Sequence, residues 1–407
     1  MAAPVLLDLS HTSHTRARTG IQRVARSLHV ALGARAIAVT HDPHLAAWRA
    51  LEPWEHANLV ADSAGAHRGA RWPFGARLRG RMRQLLGRTP GSLPPNGGSA
   101  GVPPASGSGV LVPEVFSPAI ARALPGLFAA ARGPRVALFH DAIALKFPEL
   151  TPTKTVARFP GYLIELLAFD GIAAVSEDSR AALTDYWRWL GARNPPPVRA
   201  IPLGVDLPPF RTSDENKTPA HGVTVLSIGS IEGRKNHVAL LDACEQLWAR
   251  GAKFTLHLIG LAHPQTGAAA LERIRVLQAA GRLLRYEGPA SDAQVDAAYA
   301  ACTFTVYPSI AEGFGLPVIE SLAHAKPCIC SARGAIGESA EGGGCVRLDP
   351  VDVAALANAI ERLLATPSAV AALVDQARTR RFKIWPSYAD EILAWMEELP
   401  AGRRTVR

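Results

Sequence analysis

Short apolar runs that end in polar residues, each followed by a helical pattern, constrain the fold of this chain more than any other feature of its sequence. The first run is PVLLDLS at residues 4–10, and a helix-like stretch opens at Gly20. Later runs of the same kind are RVALFHD, GIAAVSE, GVTVLSIGS, FTLHLIG, LLRYEG, FTVYPS and PCICS. Strands that alternate with helices in this way predict an α/β protein with parallel, doubly wound sheets. Ligands of such sheets bind at the carboxyl ends of the strands, where this chain carries polar residues.

The length of 407 residues is too great for one hydrophobic core and predicts two domains. A proline-rich segment without periodicity, residues 201–222, is typical of a linker and predicts a domain boundary between residues 205 and 206. A second irregular segment, residues 89–109, consists largely of Pro, Gly and Ser and is predicted to be mobile.

The net charge of +9 predicts an anionic partner, namely a nucleotide, another phosphate compound, a nucleic acid or an anionic membrane. Charge alone does not choose among them. The N-terminus has no basic lead, and the chain contains no uninterrupted apolar run of about 18 residues. We therefore expect neither a signal peptide nor a membrane-spanning helix, and a cytoplasmic location.

The cysteines show neither zinc-site nor redox spacing, because none forms a CxxC pair. They are Cys244, Cys302, Cys328, Cys330 and Cys345. Cys328 and Cys330 stand two residues apart in a strand-like run, so we expect both on one face of a strand as small buried hydrophobes.

A basic amphipathic helix is predicted over residues 71–88. One face carries Phe74, Leu78, Met82, Leu85 and Leu86, and the flanks carry Arg77, Arg81, Arg83 and Arg88. This pattern favours docking on an anionic membrane surface, peripheral at the inner face of the cell membrane. The alternative is a surface helix that packs its apolar stripe on its own domain.

The stretch YPSIAEGFGLPVIESLAHAKPCIC at residues 307–330 predicts a strand, a glycine-rich turn and a helix. Gly313 and Gly315 would let backbone amides approach an anion, and the helix N-terminus adds a favourable dipole. Pro317 suits the first turn of a helix, where its missing N–H costs nothing.

Two carboxylates flank that turn. Glu320 falls about one helical turn into the predicted helix, where it could accept hydrogen bonds from sugar hydroxyls, and Glu312 precedes the turn and could face a second sugar. Two carboxylates around one phosphate cradle describe a pocket for a nucleotide sugar. The alternative is a helix with an acidic first turn, which is common.

The stretch LSIGSIEGRKNH at residues 226–237 is the second candidate site. A predicted strand ends at Gly229, and Arg234 and Lys235 are predicted to open the next helix. Two cations at this place fit a diphosphate, because charge-assisted hydrogen bonds to phosphate are strong. A solvated Arg-Lys pair on a surface loop is the alternative. The chain has no GxxxxGK[ST] motif, and no GxGxxG follows any predicted strand.

These motifs resemble the retaining glycosyltransferases of family 4, which have the GT-B fold. Glu312 and Glu320 match the two carboxylates of that family's E-x7-E motif. Many members have an arginine where this chain has Ser230, and here Arg234 stands beside Lys235 instead. The pattern looks like the GxxExRKNH branch and is similar to bacterial mannosyltransferases of surface polysaccharide assembly. The matching segments are GSIEGRKNH, YEGPASDAQVDAAYAACTFTVYPS and EGFGLPVIESLAHAKPCICS.

The N-terminal half resembles the family more loosely. The matching segments are LDLSHTSHTRARTGIQRV, ALFHDAIALKFPEL and AVSEDSR. The resemblance implies that two Rossmann-like domains, with parallel sheets facing each other across a cleft, occupy residues 1–205 (acceptor) and 206–384 (nucleotide sugar). The segment FKIWPSYADEILAWMEEL looks like the C-terminal helix that crosses back to the first domain, within residues 385–407.

The resemblance also implies the reaction and its residues. A hexose, with mannose or a deoxyhexose from a GDP-sugar weakly favoured, would pass with retention to a hydroxyl of a glycan or of a polyprenyl-diphosphate-linked glycan. The resemblance implies front-face attack with the phosphate as base, and therefore no carboxylate nucleophile. An obligatory divalent metal is not expected, because the chain has no DxD motif. The implied catalytic residues are His140, Arg234, Lys235 and Glu312. The implied donor-binding residues are Gly20, Gly229, Ser230, Arg234, Lys235, Tyr286, Glu312, Gly313, Phe314, Gly315, Leu316 and Glu320. The implied acceptor-side residues are Thr19, His140, Asp141, Ser176 and Glu177.

Other classes of protein would share some of these features. A nucleic-acid-binding protein would interleave aromatic with basic residues, which this chain does not do. A sugar phosphorylase or a nucleotide-sugar epimerase would share the fold and the phosphate site, and the epimerase would need no acceptor. A non-enzymatic nucleotide-sugar-binding protein is disfavoured by the presence of both glutamates with Arg234, Lys235 and His140.

Overall fold

Two α/β domains, each built on a predominantly parallel sheet, form the protein in the computed structural model. The structure describes residues 4–17, 20–61, 71–85, 108–208 and 222–400. The predicted fold class is confirmed: strands and helices alternate along both halves, and the strands are buried between the helices.

The first sheet has the strand order β3-β2-β1-β4-β5-β6-β7 within the described ranges, and only β3 runs antiparallel to its neighbour. Its strands are Val5–Asp8 (β1), Ala36–Asp42 (β2), Ala47–Ala50 (β3), Val110–Val112 (β4), Arg135–Phe139 (β5), Gly171–Ala174 (β6) and Val198–Ala200 (β7). Its helices are Gly20–Leu32 (α1), Pro53–Val60 (α2), Phe74–Leu85 (α3), Pro118–Ala129 (α4), Ile143–Lys146 (α5), Thr153–Glu165 (α6) and Glu177–Trp189 (α7). The strand order reverses between β1 and β4, which is where α/β sheets of this kind bind ligands.

The second sheet is parallel throughout and has the order β10-β9-β8-β11-β12-β13. Its strands are Thr224–Ile228 (β8), Thr255–Ile259 (β9), Leu284–Glu287 (β10), Phe304–Tyr307 (β11), Cys328–Ser331 (β12) and Cys345–Leu348 (β13). Its helices are His237–Ala249 (α8), Ala268–Ala279 (α9), Asp292–Ala301 (α10), Leu316–Ala323 (α11), Gly334–Ala340 (α12), Val353–Ala365 (α13) and Pro367–Thr379 (α14). The switch point lies between β8 and β11, the two strands that precede the two candidate motifs.

The helix Trp385–Glu398 (α15) belongs to the core of the first domain. Tyr388, Ile392 and Trp395 are buried in one cluster with Val24 and Leu28 of α1. A backbone hydrogen bond holds the crossover from the second domain in place: the Val205 amide donates to the Lys383 carbonyl at 2.9 Å. The exact domain limits 1–205, 206–384 and 385–407 stay a prediction.

Hydrogen bonds between side chains and backbone groups join the two domains directly. Glu338 of α12 accepts hydrogen bonds from the amides of Glu177 and Asp178, at 2.9 and 2.7 Å, and so completes the N-terminus of α7. The hydroxyl of Ser176 donates to the Gly313 carbonyl at 2.7 Å. A Cβ on Gly313 would lie 2.0 Å from the His140 carbonyl oxygen, so only glycine allows the two loops to approach this closely.

Three sequence expectations change or are limited by the structure. The helix predicted over 71–88 is observed over Phe74–Leu85, and residues 86–107, with most of the segment predicted to be mobile, lie outside the described ranges. The first residues of the segment predicted as a linker belong to the hydrophobic core, because Ile201, Leu203 and Val205 are buried. Residues 209–221 of that segment are not described. Cys328 and Cys330 are buried as expected, and all five cysteines are free.

No helix in the part of the chain that the structure describes is long and apolar enough to cross a membrane.

Candidate active site

A cleft of about 960 Å³ separates the carboxyl ends of the two sheets. Both domains line it, and it receives most of the residues that the sequence singled out. Those residues are Gly20, His140, Asp141, Gly229, Ser230, Arg234, Lys235, Glu312, Gly313, Phe314, Gly315, Leu316 and Glu320. The volume is within the range of cofactor-sized binding sites.

The loop after β8 forms the floor of the cleft. Gly229 has a φ of 149°, and a Cβ there would lie 3.7 Å from the Lys235 ammonium. A Cβ on Gly260, which has a φ of 150°, would lie 1.9 Å from the Gly229 carbonyl oxygen. The close passage of the two loops beneath the site therefore requires glycine at position 260, whereas Gly229 is favoured by its positive φ alone.

The two cations of the GRKNH motif lie just before helix α8, whereas the sequence predicted that they open that helix. Arg234 and Lys235 form a 3-10 turn, Gly233–Lys235, and helix α8 begins only at His237, after Asn236 in the left-handed conformation with a φ of 57°. Both side chains reach the loop after β11, where they pair with Glu312.

Glu312 joins the two motifs into one charged cluster. Its Oε2 lies 2.5 Å from the Arg234 Nη1, and its Oε1 lies 2.6 Å from the Lys235 Nζ. Arg234 also pairs with Glu232, Nη2 to Oε1, at 2.9 Å, and Lys235 donates to the hydroxyl of Tyr307. Two carboxylates thus balance the two cations within the cleft.

The pKa values in this cluster follow from burial and pairing. Burial raises the pKa of Glu312, but the charges of Arg234 and Lys235 outweigh it and lower that pKa from 4.5 to about 2. Burial lowers the pKa of Lys235, and the charge of Glu312 opposes this shift. Glu312 is therefore a carboxylate at neutral pH.

Helix α11 directs its N-terminus into the cleft. Gly315 precedes the helix with a φ of 98°, Leu316 is the first helical residue, and Pro317 occupies the first turn as expected. Glu320 follows within the helix and is 7% exposed. Its Oε1 accepts from Arg23 Nη2 at 2.5 Å, a contact between the two domains that the sequence did not reveal.

His140 ends β5 at the opposite wall of the cleft. Its Nε2 lies 2.7 Å from the Pro113 carbonyl oxygen. A carbonyl only accepts hydrogen bonds, so Nε2 carries the proton and Nδ1 has the free lone pair of the neutral ring. Burial lowers the pKa of His140, which favours this neutral form at pH 7.

Three of the predicted site residues do not line the cleft, and a fourth lies outside the described residues. The side chain of Ser176 bonds to the second domain, while the exposed Glu177 pairs with Arg180 at 2.5 Å. Tyr286 donates to the Gly260 carbonyl at 3.0 Å and is absent from the described cleft lining. Thr19 lies outside the described residues. The functional roles given to all the site residues stay predictions.

The cleft also contains polar residues that the motifs did not indicate. They are Arg23, Arg26, Ser27, Asp206, Glu232, Asp292, Asp296, Tyr299 and Tyr307. The place of Arg23 in the cleft could have been predicted from the sequence, since Arg23 lies three positions after Gly20 at the start of a predicted helix that faces the cleft. Within the described ranges, no group of three or more His, Cys, Asp or Glu side chains is arranged to hold a metal ion.

Comparison with known sequences finds a family match in the second domain. Residues 222–366 match the family described as Glycosyl transferases group 1. The chain is 28% identical over 203 residues to the serotype-specific mannosyltransferase WbdA of Escherichia coli, covering 47% of this chain and 25% of WbdA. It is 33% identical over 234 residues to the O-antigen chain mannosyltransferase B of Escherichia coli, covering 54% and 58% of the two chains. The alignments thus span from a quarter to under two thirds of these relatives.

Solved structures share the fold over nearly the whole chain. The Anabaena protein Alr3699/HepE, solved with UDP and glucose, aligns with a TM-score of 0.67 and 17% identity over 98% of this chain and 100% of its own. The sucrose-phosphate synthase of Thermosynechococcus elongatus aligns with a TM-score of 0.65 and 20% identity over 97% and 98%. The chain has the GT-B fold, as the sequence predicted.

Proposed function

Because residues 222–366 form a Glycosyl transferases group 1 domain within a GT-B fold, we propose that this protein is a retaining glycosyltransferase that uses a nucleoside diphosphate sugar. The observation that carries the proposal is the cluster of Arg234, Lys235 and Glu312 beside the N-terminus of α11, in one cleft with Glu320. Cations, helix amides and carboxylates at these distances match the three parts of such a donor: diphosphate, sugar and ribose.

The diphosphate would lie between the loop after β8 and the N-terminus of α11. Arg234 and Lys235 already lie within 2.6 Å of one carboxylate, so they are held in place before an anion arrives. As the glycosidic bond breaks, negative charge grows on the leaving diphosphate. Fixed cations and the amides from Gly313 to Leu316 would stabilise that charge without reorganisation, which is the largest contribution expected in such a site.

The carboxylates would orient hydroxyl groups. Glu312, at a pKa of about 2, is a weak base and a poor nucleophile but a strong acceptor for hydroxyls of the transferred sugar. Glu320 would accept from the ribose. The Nδ1 of His140 would accept from a hydroxyl of the donor sugar or the acceptor, because its Nε2 is occupied by Pro113.

Retention would follow from attack on the same face that the diphosphate leaves, with a phosphate oxygen taking the proton of the acceptor hydroxyl. No carboxylate nucleophile is required for this route. The two cations would supply the charge that a divalent metal supplies elsewhere, so we propose a reaction that is independent of metal.

The donor sugar we propose is mannose or a deoxyhexose, carried by GDP. The support is the GRKNH motif together with the two relatives that are named mannosyltransferases. The acceptor would be a hydroxyl of a glycan or of a polyprenyl-diphosphate-linked glycan, and the reaction would take place in the cytoplasm.

A binding screen tests this proposal. The purified protein is titrated with GDP, UDP, dTDP and their common sugars by thermal shift and calorimetry, with EDTA present. We expect one nucleotide family to bind, and Glu320→Ala to lose that binding. Release of free nucleotide or of an isomer without an acceptor would favour an epimerase, and failure of every nucleotide to bind would overturn the assignment.

Helix α3 gives the acceptor side a membrane contact. Its Phe74, Leu78 and Met82 are 79%, 47% and 54% exposed, so the part of the chain that the structure describes does not cover these three side chains. The chain just before the helix is anchored, because the amide of Arg71 donates to the His14 carbonyl at 2.8 Å and Trp72 stacks on the His14 ring at 4.1 Å. An exposed apolar stripe with arginines at its flanks fits an anionic lipid surface.

Replacing Phe74, Leu78 and Met82 together by Asp is expected to weaken binding to vesicles containing 30% phosphatidylglycerol by at least about tenfold, because apolar burial and charge attraction are both reduced. Vesicle sedimentation measures the fraction of protein that is bound. Val276→Asp is the matched control, since Val276 is 47% exposed on α9 of the other domain. Equal binding by the triple variant and the wild type would contradict membrane docking through α3.

A further inference from the structure

An ion pair spans the donor cleft. Arg23 extends from α1 of the first domain, and its Nη2 lies 2.5 Å from the Oε1 of Glu320 on α11 of the second domain. The Arg23 side chain is 34% exposed and that of Glu320 is 9% exposed. The pair is therefore shielded on the carboxylate side and open on the arginine side, from which a ligand would approach.

Both oxygens of Glu320 have a hydrogen-bond donor within the protein itself. Oε1 accepts from Arg23, and Oε2 lies 3.3 Å from the hydroxyl of Tyr299. Burial raises the pKa of Tyr299, so its hydroxyl keeps its proton and donates. A ribose diol that uses both oxygens of the carboxylate must therefore displace at least Arg23, which is the more exposed of the two donors.

Arg23 has another carboxylate to which it can move. Asp206 and Asp292 line the same cleft. Burial raises the pKa of Asp206, and the charge of Arg23 in the same cleft opposes that rise. These two carboxylates thus line the cleft that contains the Arg23 guanidinium, and either could serve as its counter-charge when a ligand occupies Glu320.

We propose that Arg23 competes with the ribose of the donor for Glu320, and so sets the affinity of the cleft for nucleotides. This inference rests on the proposed function. On donor binding, Glu320 exchanges Arg23 for the ribose hydroxyls, and Arg23 turns to Asp206. After transfer, the return of Arg23 to Glu320 favours release of the nucleoside diphosphate. Arg23 acts through Glu320 and is a positioning residue.

The test compares Arg23→Met with the wild type in calorimetric titrations with GDP, with UDP in parallel, and with inorganic diphosphate. Removing the competitor is expected to tighten GDP binding about three- to tenfold, because the free protein no longer holds Glu320 in a closed pair. Inorganic diphosphate has no ribose, so its affinity is expected to stay within about twofold. A gain with both ligands or a loss with both would overturn the inference, because either would mean that Arg23 acts on the phosphates.

Two further variants sharpen the test. In Glu320→Gln, adding Arg23→Met is expected to change the GDP affinity less than about twofold, because the competed group is gone. Arg35→Met is the matched control: Arg35 also pairs with a carboxylate, Asp390, but away from the cleft. If the wild type binds GDP and Arg23→Met gains nothing, the inference fails alone. If the wild type binds neither GDP nor UDP, the proposed function fails with it.

Discussion

Lys235→Met is expected to weaken GDP binding by about 10- to 100-fold, because a charge-assisted hydrogen bond contributes about 1.5–3 kcal/mol. Lys235 is 6% exposed, and its ammonium faces Glu312 and Tyr307 at the floor of the cleft. Methionine keeps most of the side-chain volume and removes the charge. The rate of sugar transfer is expected to fall about a hundredfold or more, since the charge on the leaving diphosphate grows in the transition state. Isothermal calorimetry measures the first effect.

The matched control is Lys253→Met, because Lys253 is exposed just before β9, at the opposite end of the sheet. It is expected to bind GDP like the wild type. Wild-type affinity in a folded Lys235→Met protein would show that the diphosphate does not lie on the loop after β8.

Glu312→Gln is expected to lower the free energy of unfolding at pH 7 by about 3 kcal/mol, since the pKa of Glu312 falls from 4.5 to about 2 on folding and each pKa unit corresponds to about 1.4 kcal/mol. The folded-state pKa lies below the unfolded value. The stabilisation is therefore complete above about pH 4.5 and is lost as the pH falls toward 2. Urea titrations of both proteins at pH 7 and pH 3 measure this.

The difference between the wild type and Glu312→Gln should be smaller at pH 3 than at pH 7. Glu272→Gln is the control, because Glu272 forms an exposed pair with Arg275 on α9, at 3.3 Å. Its effect is expected to stay below about 0.5 kcal/mol at both pH values. A difference between wild type and Glu312→Gln that does not change with pH would mean that the two cations do not stabilise the Glu312 carboxylate.

The strands that the sequence pattern predicted are mostly the central ones. β5, β8, β9 and β11 are short apolar runs, because both of their faces are covered by helices. β4 has only three residues, Val110–Val112, and follows a low-complexity segment, so its run is too short to stand out. β7 and β13 lie at sheet edges and contain Arg199 and Arg347. β2, with the sequence AIAVTHD, contains a recognisable apolar run but was not among the predicted strands.

The site was predictable where residues close in sequence form one motif. Glu312 and Glu320 flank one turn, and Arg234 and Lys235 are adjacent, so their presence in one cleft followed from parallel-sheet topology. Their pairing was not predictable, because each side chain was expected to await a ligand, whereas burial without a counter-charge is too costly for them to do so. Arg23 and Glu320 stand 297 positions apart, and only the packing of the two domains brings them together.

Helix α15 has a consequence for synthesis on the ribosome. The core of the first domain contains Tyr388, Ile392 and Trp395, and its last strand ends at Ala200. A ribosome that adds about 5–20 residues per second needs roughly 10–40 s to pass from that strand to this helix. Throughout that interval the apolar surface of α1, which α15 later covers, is exposed on the nascent first domain. A chaperone would then have the largest apolar surface of this domain to bind.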